Sequence, residues 1–308
     1  ESQVLTNSTD KNVVVPEGSS KNNLPIFTTD ESIFLMNDQQ QSAHDEIFKF
    51  INEKLDNRST DQTPLKISKL GTGSIPKGVY DNSIGLLGKG GTGKTSMLKV
   101  LINNIIEEKS KGYNRVSVRY IAPTHTAATM LQEALGFDSE RTGEGVSTFA
   151  SFVGRNQLKG SPDGIPENSD LLLVKDEIWL KQIELGQVNP VSSADIVVID
   201  ESSMISNTML QNFMQRFNVE GGSQLPIFIF MGDYRQLPPV EETKEKFSEG
   251  VVSATIFANP EKYVELTQVM RSKDKELHRV YDSVGQQITQ QRNQILNGQT
   301  PDKFDWKK

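Results

Sequence analysis

Eight residues constrain this chain more than any other stretch: Gly88-Lys89-Gly90-Gly91-Thr92-Gly93-Lys94-Thr95. They fit the pattern G-x-x-x-x-G-K-[ST]. An apolar run at 84–87 precedes them and reads as a strand. After them, Met97, Leu98, Leu101 and Ile105 recur at helical spacing over 95–108. Strand, glycine-rich loop and helix in that order make an anion cradle. The glycines let successive N–H groups turn inward, and the helix points its positive end at the same place. Gly88, Gly90, Gly91, Thr92 and Gly93 are therefore candidates for wrapping a phosphate chain. Lys94 is the candidate for the β- and γ-phosphates, and the Thr95 hydroxyl for a Mg²⁺ ion.

Gly88, Gly90 and Gly93 also fit G-x-G-x-x-G, the dinucleotide fingerprint. That fingerprint needs an acidic residue about 20 positions on for the ribose hydroxyl. The next apolar run, 115–123, leads into Pro123-Thr124-His125 with no acid. A dinucleotide site also gives Lys94 and Thr95 no role. A ligand-free glycine-rich turn is disfavoured by the strand before it and the helix after it.

The rest of the chain alternates. Residues 42–55 have helical spacing (Ala43, Ile47, Phe50, Ile51, Leu55), as do 126–135. The runs at 195–200 and 226–233 are continuously apolar, as in strands buried on both faces of a parallel sheet. The alternation predicts an α/β sheet flanked by helices with right-handed crossovers. Two sections break it. Residues 56–83 are rich in turn formers and read as an inserted loop region. Residues 154–194 read as an insertion with a small structure of its own around one apolar cluster. Residues 1–31, rich in Ser, Thr and Asn, are expected to form an extended or partly disordered arm, or a partner-binding tail.

The chain carries a net charge of −7 and no cysteine. Disulfides, thiolate metal sites and cysteine nucleophiles are excluded, and a reducing compartment such as the cytoplasm is expected. Any nucleic-acid contact must come from a local groove, because the global field is negative. No apolar run approaches the roughly 18 residues needed to cross a bilayer, and no secretory signal opens the chain, so no membrane partner is expected. The chain starts at Glu1 without an initiator Met, which suggests processing or a fragment.

A phosphate loop becomes a hydrolase when an acid ends a neighbouring strand. Asp200 follows such a strand and is the candidate for holding Mg²⁺ through water. Glu201 is the candidate for orienting or deprotonating the attacking water. Two solvated acids at a strand end are the simpler alternative. Gln236, in GDYRQLPPV, follows the next strand and could sense the γ-phosphate; a turn made by Gly232, Asp233, Pro238 and Pro239 would explain the same segment.

Together these segments resemble superfamily-1 (SF1B) DNA helicases of the Dda/RecD-like group and, more distantly, the Pif-type enzymes. MNDQQQSA looks like the Q motif, with Gln40 at the adenine-reading position. GKGGTGKTS looks like motif I, APTHTAA like motif Ia and IDESSM like motif II. GDYRQLPPV is similar to motif III, and ELTQVMRS to motif IV, with Arg271 at a γ-phosphate contact. VSTFASF resembles the segment between Ia and II, although Ala150 stands where His is usual. The seven segments lie in order between Met36 and Ser272.

The resemblance implies a RecA-like P-loop NTPase lobe over 32–272 that hydrolyses ATP with Mg²⁺ and grips single-stranded DNA. It places Thr124 and His125 on the DNA backbone, with Thr148 and Phe149 along the same strand. A solvated loop is the alternative for these residues. It also makes 154–194 a 1B-like subdomain bearing a duplex-splitting pin. Trp179 is a candidate to stack on a base there, or else packs with Leu172, Val174 and Ile178. Translocation 5′ to 3′, replication or recombination proteins as partners, and a phage-like origin in a host cytoplasm are further implications. Residues 273–308 look like a linker helix and the start of a second RecA-like lobe, with Leu277, Val280, Tyr281 and Val284 on one face. Motifs V and VI of that lobe are missing here. The expectation is a weakly active first lobe, and the alternative is a non-hydrolysing RecA-like module that binds nucleotide or DNA through a partner.

Overall fold

The computed structural model describes residues 4–6, 12–14, 27–29, 32–34, 36–67, 75–110, 116–136, 146–154, 173–233, 252 and 255–270, and single positions at 283, 287, 290 and 294. In the arm, β1 (Val4–Thr6) pairs with β2 (Asn12–Val14), and β3 (Phe27–Thr29) pairs with β4 (Ser32–Phe34), which lies just past the expected arm boundary; both pairings are antiparallel.

The main body is a six-stranded parallel sheet. Its strands are β5 (Ser83–Gly88), β6 (Val118–Ala122), β7 (Val146–Thr148), β8 (Ile196–Ile199), β9 (Ile227–Gly232) and β10 (Tyr263–Leu266). The spatial order is β10-β5-β9-β8-β6-β7, and every pairing is parallel. The expected α/β parallel sheet is present.

Two cores account for the continuous apolar runs. Ile84, Leu86, Ile196, Val198, Ile227, Ile229 and Met231 face one side. There they meet α1 (Asp38–Asp56) through Ile47 and Ile51, α3 (Lys94–Ser110) through Met97, Leu101 and Ile105, and α4 (His125–Leu135) through Leu131. Leu87, Val197, Ile199, Phe228 and Phe230 face the other side. They pack on α7 (Asn207–Glu220) through Phe213 and Phe217, and on Phe149 of the short α5 (Phe149–Phe152). Successive residues of a strand point to opposite faces, so a strand covered on both sides must be apolar throughout.

Helix α1 starts at Asp38, four residues earlier than the apolar spacing indicates. Asn37 caps it, with Gln40 closing a reciprocal capping box. In the expected loop region 56–83, residues 57–67 run beside the end of α7. Asn218 both donates to the Ile67 carbonyl and accepts from its N–H. A five-residue helix, α2 (Lys77–Asp81), then leads into β5.

The described part of 154–194 departs from a separate small structure. Helix α6 (Asp176–Glu184) docks on α7, and its Trp179 belongs to the main core with Phe213 and Phe217. Ile178, expected to share a core with Trp179, is 50% exposed. Leu172 lies outside the described residues, as do Leu277, Val280, Tyr281 and Val284. Ser283, Gln287, Gln290 and Gln294 are helical, in the section expected to hold the linker helix. Among the described residues, no helix is long and apolar enough to cross a membrane.

Candidate nucleotide-binding site

The carboxyl ends of the strands form one edge, where open α/β sheets bind ligands. β9 lies between β5 and β8. Leu87 pairs with Gly232 and Ile199 with Phe230. This register brings Gly88, Asp200 and Asp233 to neighbouring strand ends.

The loop from Gly88 folds tightly onto itself. Lys94 Nζ donates to the carbonyls of Gly88 (2.5 Å) and Lys89 (3.2 Å), and Thr92 Oγ1 donates to Lys89 O (2.9 Å). A side chain at Gly88 would strike the Thr92 hydroxyl and the Leu266 carbonyl. Gly91 and Gly93 have φ of 81° and 82°, the left-handed region that glycine enters without strain. Nothing lies within 4 Å of a Cβ at Gly90, so the loop is open on that side. Thr92 is buried and serves the loop's own bonding. Lys94 and Thr95 begin α3, with the Met97 N–H donating to Gly93 O (2.9 Å).

Gln40 is 1% exposed. Its Nε2 donates to the Thr92 carbonyl (2.9 Å), and its Oε1 accepts the Asn37 N–H (3.0 Å). A Cβ at Gly93 would collide with this amide. Here the Gln40 amide supports the phosphate loop from within and is not presented to an adenine.

Asp200 accepts the N–H of Glu201 (2.9 Å), and Ser202 Oγ donates to Met231 O (2.8 Å), tying this turn to β9. Glu201 has φ 49° and ψ 39°, the one described non-glycine residue at positive φ. Burial pushes the Lys94 ammonium below its usual range, and Asp200, Asp233 and Glu201 partly offset this. Burial also raises the Asp200 carboxyl above its usual range, against the pull of the Glu201 N–H and Lys94. Both charges are poorly solvated, so phosphate oxygens and a cation would complete the site. Lys94, Asp200 and Glu201 are the sequence-expected residues that come together here.

The DNA candidates divide. Thr124 and His125 are exposed at the start of α4, where Thr124 Oγ1 accepts the Ala127 N–H (3.2 Å). Thr148 is 6% exposed and caps α5 by accepting the Ser151 N–H (3.1 Å). Phe149 and Trp179 are each 1% exposed. Trp179 Nε1 donates to Glu220 (2.8 Å), and Arg216 lies against its ring. A base needs an open ring face, so the stacking role does not fit Trp179 as it stands, and Phe149, expected along the DNA strand, is equally enclosed. Gln236 and Arg271 lie outside the described residues.

Sequence reasoning missed Asn37, Gln39, Asp233 and Met270 as parts of the site. Only Asn37 carried a local signal, the N-x-x-Q capping pattern.

A family model described as "AAA domain" matches residues 80–299. Among solved structures, the crystal structure of Pif1 helicase from Candida albicans is similar, at 18% identity and a TM-score of 0.47. The match covers 83% of this chain and 44% of that one, so the chain spans less than half of that helicase. No curated protein matches.

Proposed function

From the premise that the chain belongs to the AAA domain family, we propose that it is the ATP-hydrolysing motor lobe of a DNA helicase. The observation that carries this reading is the convergence of Lys94, Asp200 and Glu201 on a glycine loop left open at Gly90.

In this reading ATP lays its phosphates along 88–95. Lys94 exchanges the Gly88 and Lys89 carbonyls for the β- and γ-phosphate oxygens. Thr95 and Asp200 are hard oxygen donors suited to Mg²⁺, a cation that keeps waters and phosphate oxygens in its shell. Bound there, Mg²⁺ would neutralise charge on the phosphates. Glu201 orients the attacking water and takes its proton. Gln236 and Arg271 act at the γ-phosphate.

Single-stranded DNA is proposed to cross the edge at Thr124 and His125, with 5′ to 3′ movement in a complete two-lobed protein. An arginine finger from a second lobe can be worth about 10³–10⁵ in rate, so turnover is expected to rise steeply when such a lobe closes on the site.

The test is ATP turnover with and without single-stranded DNA, comparing the chain with Lys94→Ala. DNA-stimulated turnover lost in the variant supports the motor. Tight nucleotide binding with no turnover, with or without DNA, would replace it with a non-hydrolysing binding module.

A further inference from the structure

Neighbouring side chains at the start of α1 hold two separate parts of the site. Gln40 reaches the phosphate loop at Thr92. Gln39 reaches the segment that leaves β10. Its Oε1 accepts the N–H groups of Thr267 (2.9 Å) and Gln268 (3.1 Å), and its Nε2 donates to Thr267 Oγ1 (3.0 Å). Asn37 Nδ2 lies 3.2 Å from Met270 Sδ. The Met270 N–H then donates to the carbonyl of Gly91 (2.8 Å), within the loop itself.

The segment 267–270 is thus bonded to α1 on one side and to the phosphate loop on the other. Gly91 sits at a positive φ between the open Gly90 and the buried Thr92. A phosphate drawn into the cradle must engage N–H groups on both sides of that carbonyl. Any turn of the Gly91 peptide moves the acceptor that Met270 uses.

We propose that Gln39 is a positioning residue that clasps 267–270 to α1, so that Met270 follows the occupancy of the phosphate loop. The clasp fixes the point from which the chain continues to Arg271. The role of Arg271 rests on the proposed function; the clasp does not. Gln39 touches no reacting atom and acts through Thr267, Gln268 and Met270.

The experiment measures amide hydrogen exchange at Thr267, Gln268 and Met270, with and without Mg²⁺–ADP. It compares the parent chain, Gln39→Leu and Gln39→Glu. Gln39 is only half-buried, so neither substitution opens a core cavity. In the parent, nucleotide is expected to change exchange at Met270. Gln39→Leu should speed exchange at all three amides and abolish the nucleotide response. Gln39→Glu keeps the acceptor for Thr267 and Gln268 and should restore both. A Met270 amide whose exchange and nucleotide response are the same in parent and Gln39→Leu would overturn the clasp.

Turnover is read in parallel. A misplaced active-site group can cost about 10²-fold, so kcat should fall by about tenfold to a hundredfold in Gln39→Leu with little change in KM for ATP. If the parent does not hydrolyse ATP at all, the proposed function falls, and the exchange result still decides the clasp.

Discussion

The guanidinium of Arg216 lies 4.7 Å from the centre of the Trp179 ring, with both side chains enclosed. Arg216 Nε donates to the Val153 carbonyl (2.9 Å), and its two terminal nitrogens donate to Val174 O (2.5 Å) and Asp176 (2.9 Å). One turn along α7, Glu220 accepts from Trp179 Nε1 and from the N–H groups of Val191 (3.1 Å) and Ser192 (2.8 Å). These two residues staple the chain on both sides of 155–172 to the core beneath the parallel sheet. Removing Arg216 leaves two main-chain carbonyls without donors, and a buried unmade bond costs about 1–3 kcal/mol. Arg216→Met should therefore lower the unfolding free energy by about 2–4 kcal/mol in urea titration. Arg216→Lys should recover little, because an ammonium cannot span three acceptors with one planar fork.

Asp200 supplies a pH test. Its carboxyl is raised above the ordinary 3.8, chiefly by burial. The folded chain binds this proton more readily than the unfolded one. Stability from this group is therefore present below pH 3.8 and is lost as pH rises through the folded value. Asp200→Asn removes the penalty and keeps an oxygen for the Glu201 N–H. At pH 7.5 it should melt above the parent without nucleotide, and the gap should narrow as pH falls toward 4. Protection by Mg²⁺–ATP should be lost.

Two glycines of the cradle should behave oppositely. Gly93→Ala puts a methyl on the Gln40 amide at a positive φ, whereas Gly90→Ala points into open space. Gly93→Ala is expected to abolish nucleotide binding and lower Tm. Gly90→Ala should leave Tm unchanged. Calorimetric titration with ADP and thermal melts distinguish the two.

Glu201 is held in the left-handed region, which costs an L-residue roughly 1–2 kcal/mol. Glu201→Gly should therefore stabilise the fold by about 0.5–1 kcal/mol, after the greater chain entropy of glycine is counted. Glu201→Gln keeps the backbone strain and should leave Tm near the parent value. Both should bind ATP and fail to turn it over. A Glu201→Gly variant that melts below Glu201→Gln would remove strain as the explanation.

Where apolarity was continuous, the sequence carried the fold. The runs holding Ile196–Ile199 and Ile227–Gly232 read as doubly covered strands, and they are. The insertion of β9 between β5 and β8 was invisible, because strand order is decided by packing between distant segments. The same limit hid the clasp: Gln39 meets Thr267 across 228 positions, and no local pattern encodes that pairing. Trp179 shows a different limit. An aromatic residue in a polar section suits either a stacking surface or a core, and only the positions of Arg216 and Glu220 on α7 decide between them.

The contact between Gln40 and Thr92 bears on how such a site can be borrowed. The eight-residue cradle is not a portable part. It is buttressed by a helix that starts fifty residues upstream and is fastened through Met270 from far downstream. Residues 88–95 spliced onto a foreign strand and helix would carry the glycines and the lysine without either brace. A designer would have to transplant the three segments together.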